Sequence, residues 1–245
     1  VYTVDLAVEQ ADFKDLREVP LGSYELVILC TPDSQKALLI DYCIEHGKHV
    51  LVEKPLVAHS DILTELETKA KARGVYVQTA YNHRFEPHFK TLKKCLADSV
   101  IGDLYSCRLF YGNGTAQLVK QSEWRDSGSG VLHDLGSHIL DTCRYWFGEI
   151  SGNFSLVSAR AFENRAWDHV VFSHESGDFR IEAEVTLCSW RNSFSADIMG
   201  SEGSLHIDSL CKWGPASLTV RRRARPSGAP MEERKTLIEH DPPLH

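Results

Sequence analysis

Two short stretches carry residue types that could move a proton. The first is His49-Val50-Leu51-Val52-Glu53-Lys54-Pro55, where an apolar, β-branched run ends in a carboxylate, an ammonium and a proline. Charges where such a strand stops can form a site, because ligands of open α/β sheets bind beyond the carboxyl ends of the strands. The second lies within residues 127–148, where Asp134 and His138 stand four apart in a helical pattern. That spacing puts both side chains on one helix face. A carboxylate beside an imidazole stabilises the imidazolium, which suits general acid–base work near neutral pH. Each stretch also has a plainer reading: a solvated lysine at a strand end, and a surface i,i+4 pair. Leu135, Ile139 and Leu140 around the second pair predict a largely buried helix instead. His133 is read as structural and Asp141 as support for local hydrogen bonding.

The elements that must position these groups follow from periodicity. Residues 24–30 form a strand that Thr31-Pro32 breaks, because the residue before proline favours extended geometry. Asp33 or Ser34 then caps a helix over 35–46, and Gly47 stops it. A strand at 49–53, a helix from Ser60 or Asp61 to before Gly74, and a strand at 75–79 complete β-α-β-α-β. This order predicts a parallel, Rossmann-like sheet. Ligands of such sheets bind beyond the carboxyl ends of the strands, the edge that Thr31-Pro32 and Glu53-Lys54 share.

Beyond Ala80 the texture changes. A helix is predicted over 86–98 with Pro87 in its first turn, a strand over 104–111, a small-residue connection carrying Trp124-Arg125, and a helix over 130–147. Phe179, Ile181, Ala183, Val185 and Leu187 alternate with Arg180, Glu182, Glu184 and Thr186, the pattern of a strand covered on one face. Further strands are predicted at 154–162, 168–174, 194–199, 204–208 and 217–223, with a hairpin turn at Gly200-Ser201-Glu202-Gly203. The fold class is therefore α/β. Residues 1–80 form a partial Rossmann-like parallel domain, and 81–245 an α+β domain with a large, mainly antiparallel sheet.

Composition narrows the function classes. The 245 residues are 42% hydrophobic and 25% charged, so a packed core is expected. A net charge of −7 argues against a general nucleic-acid binder. Apolar runs are too short to cross a bilayer. Seven single cysteines without a CxxC pair suit a reducing, cytoplasmic compartment. No histidine or cysteine spacing marks a metal site, so none is expected. The run Arg221-Arg222-Arg223-Ala224-Arg225 is read as a solvated strand edge.

Thr31-Pro32, Gly47-Lys48-His49-Val50, Glu53-Lys54-Pro55, Tyr81-Asn82-His83-Arg84-Phe85 and the Asp134-x-Gly136-x-His138 helix, in this order, resemble the Gfo/Idh/MocA oxidoreductases. The resemblance covers nearly the whole chain. It implies a Rossmann domain for NAD or NADP, and hydride transfer at a hydroxyl carbon of a sugar or polyol. It also implies a C-terminal domain whose open sheet serves as a homo-oligomer interface. By position, His138 would take the hydroxyl proton, Lys54 would hold the oxygen, and Asp134 would position imidazole or substrate. Thr31, Pro32, Glu53, Lys54, Asn82 and Arg84 would contact the cofactor, and His83, Trp124 and Arg125 the substrate.

Two departures qualify this. Lys36 stands where the family often has histidine. The G-x-G-x-x-G turn that should cradle the pyrophosphate is missing: only Gly22 and Gly47 occur in the first fifty residues, and Gly128-Ser129-Gly130 precedes the wrong helix. Both ends read as cut, and the chain alone is expected to bind nicotinamide cofactors weakly or not at all. The rival reading is a non-catalytic family member that binds cofactor or sugar as a regulator or scaffold. Lys54, Asp134 and His138 together argue against it, since a scaffold needs no proton-transfer set.

Overall fold

The computed structural model describes residues 1–177 and 179–237. They form two compact units, one over Val1–Ala80 and the other from Tyr81 onward.

In the first unit β1 (Leu26–Leu29), β2 (His49–Val52) and β3 (Val77–Thr79) make a parallel sheet in the order β1-β2-β3. Helix α1 (Asp33–Glu45) joins the first pair and α2 (Ser60–Arg73) the second. Val50 and Val52 project to a core shared with Ile40, Cys43 and Ile44. Gly47 and Gly74 adopt positive φ at the helix ends, where only glycine avoids a Cβ penalty. The helix starts depart from expectation. Pro32 and His59 are the N-cap residues, so Asp33 and Ser60 are already the first helical residues.

In the second unit α3 (Pro87–Ala97) opens with proline at its first position and leads to β4 (Leu104–Gly112). The short helix α4 (Ala116–Lys120) follows. The expected single helix over 130–147 is corrected to a π-helical turn, Leu132–Gly136, running into α5 (Ser137–Phe147). Then come β5 (Ser155–Arg160), β6 (His169–Ser176), β7 (Phe179–Thr186), β8 (Ser193–Gly200), β9 (Gly203–Asp208), β10 (Ala216–Arg222) and β11 (Met231–Leu237). With β4 they form an eight-stranded sheet in the order β11-β10-β9-β8-β4-β7-β6-β5. All neighbours are antiparallel except β4 and β7. Gly200 pairs with Gly203 across the predicted two-residue turn.

One sheet face is buried, with Ile181, Ala183, Val185, Ala196 and Ile198 in a core that includes Phe89, Ile139 and Trp146. The opposite face carries a cross-strand row of His206, Asp197, Arg108 and Glu182, with the Arg221–Glu232 pair on the adjoining rung. Arg221 meets Glu232 at 2.8 Å, His206 meets Asp197 at 2.5 Å, and Arg108 meets Glu182 at 3.3 Å. The reading of 221–225 as a strand edge is corrected, because Arg221 and Arg222 lie in β10 between β9 and β11. Arg223 donates to the Ser201 carbonyl and Arg225 pairs with Glu202.

Candidate active site

Within the first unit the parallel pairing of β1 and β2 brings Thr31-Pro32 and Glu53-Lys54 to one sheet edge. The Glu53 amide donates to the Leu29 carbonyl at 2.8 Å, extending the ladder to the first residue of the motif. Lys36, only 2% exposed, reaches over from α1. Its ammonium donates to Asp33 Oδ1 and to the Pro55 carbonyl, both at 2.7 Å. It thus ties the turn after β1 to the turn after β2. The hydroxyl of Thr31 is buried at this edge and has no hydrogen-bond partner among the described residues. A buried hydroxyl left in that state costs free energy. A polar ligand group at the edge would satisfy it, and that fits the nicotinamide side of a dinucleotide. The sequence supplies no glycine turn for the pyrophosphate side.

Within the second unit the site is built from three places. A 3-10 turn, Asn82–Phe85, turns His83 inward, where it is 1% exposed. The π turn and the start of α5 carry His133, Asp134 and His138. Strand β4 adds Tyr111. The rings of His83 and His138 stack 4.3 Å apart at 21°. Tyr81 and Tyr111 meet His138 edge-on at 5.9 and 6.0 Å. His138 is 7% exposed, so its ring is fixed by packing. Burial, with the charge of Asp141, holds the Tyr81 phenol above its ordinary range. Burial, with the charges of Asp134 and Glu86, does the same for Tyr111. Both phenols therefore stay neutral beside the imidazole. π turns recur at functional sites because the wider i→i+5 pattern re-aims side chains.

Asp134 accepts from Arg125 Nη2 at 3.3 Å, so two residues expected at the site are joined directly. The loop carrying Arg125 is anchored by Asp126, 3% exposed, whose carboxylate accepts the amides of Arg165 and Ala166 at 2.8 Å each. Trp124 on the same loop is 81% exposed, which leaves no room for an ordinary packing role. Arg84 is held by both carboxylate oxygens of Asp141: Nε donates to Oδ2 at 2.8 Å and Nη2 to Oδ1 at 2.5 Å. Asp141 is therefore the anchor of Arg84 rather than a local hydrogen-bond support on its own helix. Its carboxylate holds the guanidinium above its usual range. The Asn82 side-chain oxygen is buried without a hydrogen-bond partner among the described residues. Leu140, expected to help bury the pair, is 37% exposed and lies to one side.

Sequence reasoning missed Tyr81 and Tyr111 as neighbours of His138, and gave Lys36 no role. Tyr111 sits on a strand whose alternation marks it only as core, so a contact across the unit leaves no local signal. A second polar cluster was also missed. Glu86 and His88 at the start of α3 meet Cys211 after β9, all three buried. The Cys211 amide donates to Glu86 Oε2 at 3.1 Å, and His88 Nε2 meets the Ser209 carbonyl at 3.2 Å.

The fold defines a two-part α/β class, a small parallel sheet unit followed by a unit built on a large mixed sheet. Residues 3–81 match the oxidoreductase family with an NAD-binding Rossmann fold, and residues 89–206 match the GFO/IDH/MocA C-terminal domain. The chain belongs to the Gfo/Idh/MocA family. It is 33% identical over 127 residues to a scyllo-inositol 2-dehydrogenase (NADP(+)) of Bacillus subtilis (strain 168), covering 51% of this chain and 35% of that protein. It is 26% identical over 222 residues to a trans-1,2-dihydrobenzene-1,2-diol dehydrogenase of Macaca fuscata fuscata, covering 89% of this chain and 64% of that protein. Among solved structures, an NAD binding oxidoreductase from Klebsiella pneumoniae superposes with a TM-score of 0.78 at 23% identity, covering 91% of this chain and 63% of that one. The chain thus spans between about a third and two thirds of the length of these relatives. No helix among the described residues is long and apolar enough to cross a membrane.

Proposed function

We propose that this chain is part of an NAD(P)-dependent oxidoreductase that transfers a hydride between nicotinamide and a hydroxyl carbon of a sugar, polyol or related small molecule. The observation that carries the reading is the fixed imidazole of His138, stacked on His83, one turn after the Asp134 carboxylate. His138 takes the hydroxyl proton during oxidation and returns it during reduction. Lys54 holds the substrate oxygen and favours its alkoxide character. Asp134, paired with Arg125, orients the imidazole or a neighbouring hydroxyl. Thr31, Pro32, Glu53, Asn82 and Arg84 border the cofactor, and Trp124 the substrate. The dinucleotide, when bound, supplies the hydride acceptor or donor. Two curated relatives act, by name, on an inositol and on a dihydrobenzene diol, which supports a hydroxyl-bearing substrate.

Two further features belong to this reading. The open, charge-laddered face of the large sheet is the surface for a homo-oligomer. Seven thiols without a disulfide support a cytoplasmic location.

The test is spectrophotometric. The full-length protein is screened with both cofactors against sugars, polyols and nucleotide sugars, alongside its Lys54→Ala and His138→Ala variants. Turnover lost in either variant with cofactor binding retained supports the enzyme. Full turnover in His138→Ala would overturn its assignment as the base. Cofactor binding without turnover on any alcohol would favour the regulator or scaffold.

A further inference from the structure

The cluster at the start of α3 is used by none of the roles above. Glu86, His88 and Cys211 are 3%, 0% and 2% exposed. One ligand atom from each lies within 4.8 Å of the others. His88 Nδ1 is 3.8 Å from Cys211 Sγ and 3.5 Å from Glu86 Oε2. Around a tetrahedral zinc ion with bonds of about 2.0–2.3 Å, neighbouring ligand atoms stand roughly 3.3–3.6 Å apart. His88 Nδ1 is therefore within a few tenths of an ångström of that spacing from both partners, and with all three atoms within 4.8 Å of one another the sulfur and carboxylate must draw together on the ion.

The groups behind these atoms are already arranged. A carbonyl can only accept, so the Ser209 carbonyl at 3.2 Å puts the ring proton on Nε2 and leaves Nδ1 to face sulfur and carboxylate. The Cys211 amide fixes the Glu86 carboxylate. Metal-binding imidazoles are oriented in this way, by a backbone carbonyl on the far nitrogen. Thiolate, imidazole and carboxylate together suit a borderline divalent transition metal better than calcium or magnesium, which prefer oxygen alone. Glu86 and His88 are two apart in sequence while Cys211 is far downstream, so no spacing motif announces the set.

We propose that Glu86, His88 and Cys211 form a structural site for a divalent metal of the zinc class, clamping the first turn of α3 to the 3-10 turn Cys211–Trp213. Binding releases the thiol proton to solvent and forms one metal–sulfur, one metal–nitrogen and one metal–oxygen bond, with no redox change. The three groups are enclosed in the folded unit, so metal enters the folded protein through local opening of the turn at Cys211.

The full-length protein, purified without a histidine tag and treated with chelator, is titrated with zinc alone and with cobalt alone. About one metal per chain is expected. Cobalt should give the near-ultraviolet charge-transfer band of a thiolate ligand, and zinc should raise the thermal midpoint. Cys211→Ser should abolish the band, and His88→Gln should weaken binding by about tenfold or more. The wild-type spectrum tests the site even if a variant fails to fold. No band in the cobalt-loaded wild type, or zinc bound equally by wild type and Cys211→Ser, would overturn the proposal and reduce the cluster to a polar latch.

Discussion

At Gly130 the backbone holds φ at +51°, and a Cβ there would lie 2.1 Å from the Trp167 carbonyl oxygen. That oxygen accepts from the Val131 amide at 2.7 Å, so it cannot retreat without loosening the entry to the π turn. Gly128 also has positive φ, at +59°, but nothing lies near its would-be Cβ. Gly128→Ala should cost about 1 kcal/mol from backbone conformation alone, and Gly130→Ala about 3 kcal/mol, read by urea denaturation. Equal losses would show that the close approach to Trp167 is unimportant. The glycines that imitate a phosphate turn are thus explained by a left-handed bend and a tight contact. The Arg84–Asp141 pair argues at the same scale. Asp141 is 9% exposed, so Arg84→Met should leave an uncompensated buried carboxylate and cost about 3 kcal/mol, while Arg84→Met with Asp141→Leu should recover much of it. An additive double mutant would show that the two do not depend on each other.

At the scale of elements, Lys36 acts as a strut from α1 to the Glu53-Lys54-Pro55 turn. Lys36→Met removes the ammonium from the Pro55 carbonyl and the Asp33 carboxylate, and should cost about 1–3 kcal/mol. Amide hydrogen exchange should speed up in residues 53–57 more than in β3; uniform acceleration would mean a general loss of stability instead. The thiols differ in reactivity with their place in the elements. Burial pushes the Cys43 thiol up to about 11 and the Cys143 thiol up to about 12, whereas Cys30 is exposed. Since the thiolate is the nucleophile, alkylation of the folded protein at neutral pH should modify Cys30 well before Cys43 or Cys143. Peptide mass mapping over time checks the order.

Elements with strong periodicity were readable from residues alone. The Phe179–Leu187 alternation predicted its strand because one face packs and the other is wet. Strand β11, Met-Glu-Glu-Arg-Lys-Thr-Leu, carries no such pattern, for it is an edge strand whose Glu232 pairs with Arg221 across the ladder. The π turn was hidden as well, because its sequence keeps a helical hydrophobic pattern while its hydrogen bonds shift by one residue.

For the molecule as a whole, the placement of the candidate residues was legible where motif and topology coincide. Thr31-Pro32 and Glu53-Lys54-Pro55 end adjacent parallel strands, so local reading placed them on one edge. The neighbours of His138 and the separate Glu86–His88–Cys211 cluster were not legible, because both depend on contacts between distant segments. The same reasoning bears on cofactor affinity. Dinucleotide binding in parallel α/β sheets draws on two parts, a sheet edge for the nicotinamide and a glycine turn at a helix N-terminus for the pyrophosphate. The buried Thr31 hydroxyl marks a sheet edge that would suit the first, and the sequence of the first unit holds no example of the second. Isothermal titration of the 245-residue chain with NADH and NADPH should therefore give weak binding or none. The full-length protein should bind at least one of them about tenfold or more tightly, the pyrophosphate contacts contributing at least about 1.4 kcal/mol. Equally tight binding by both would mean that the sheet edge alone suffices, and Thr31→Val in the short chain would then be the variant expected to lose it.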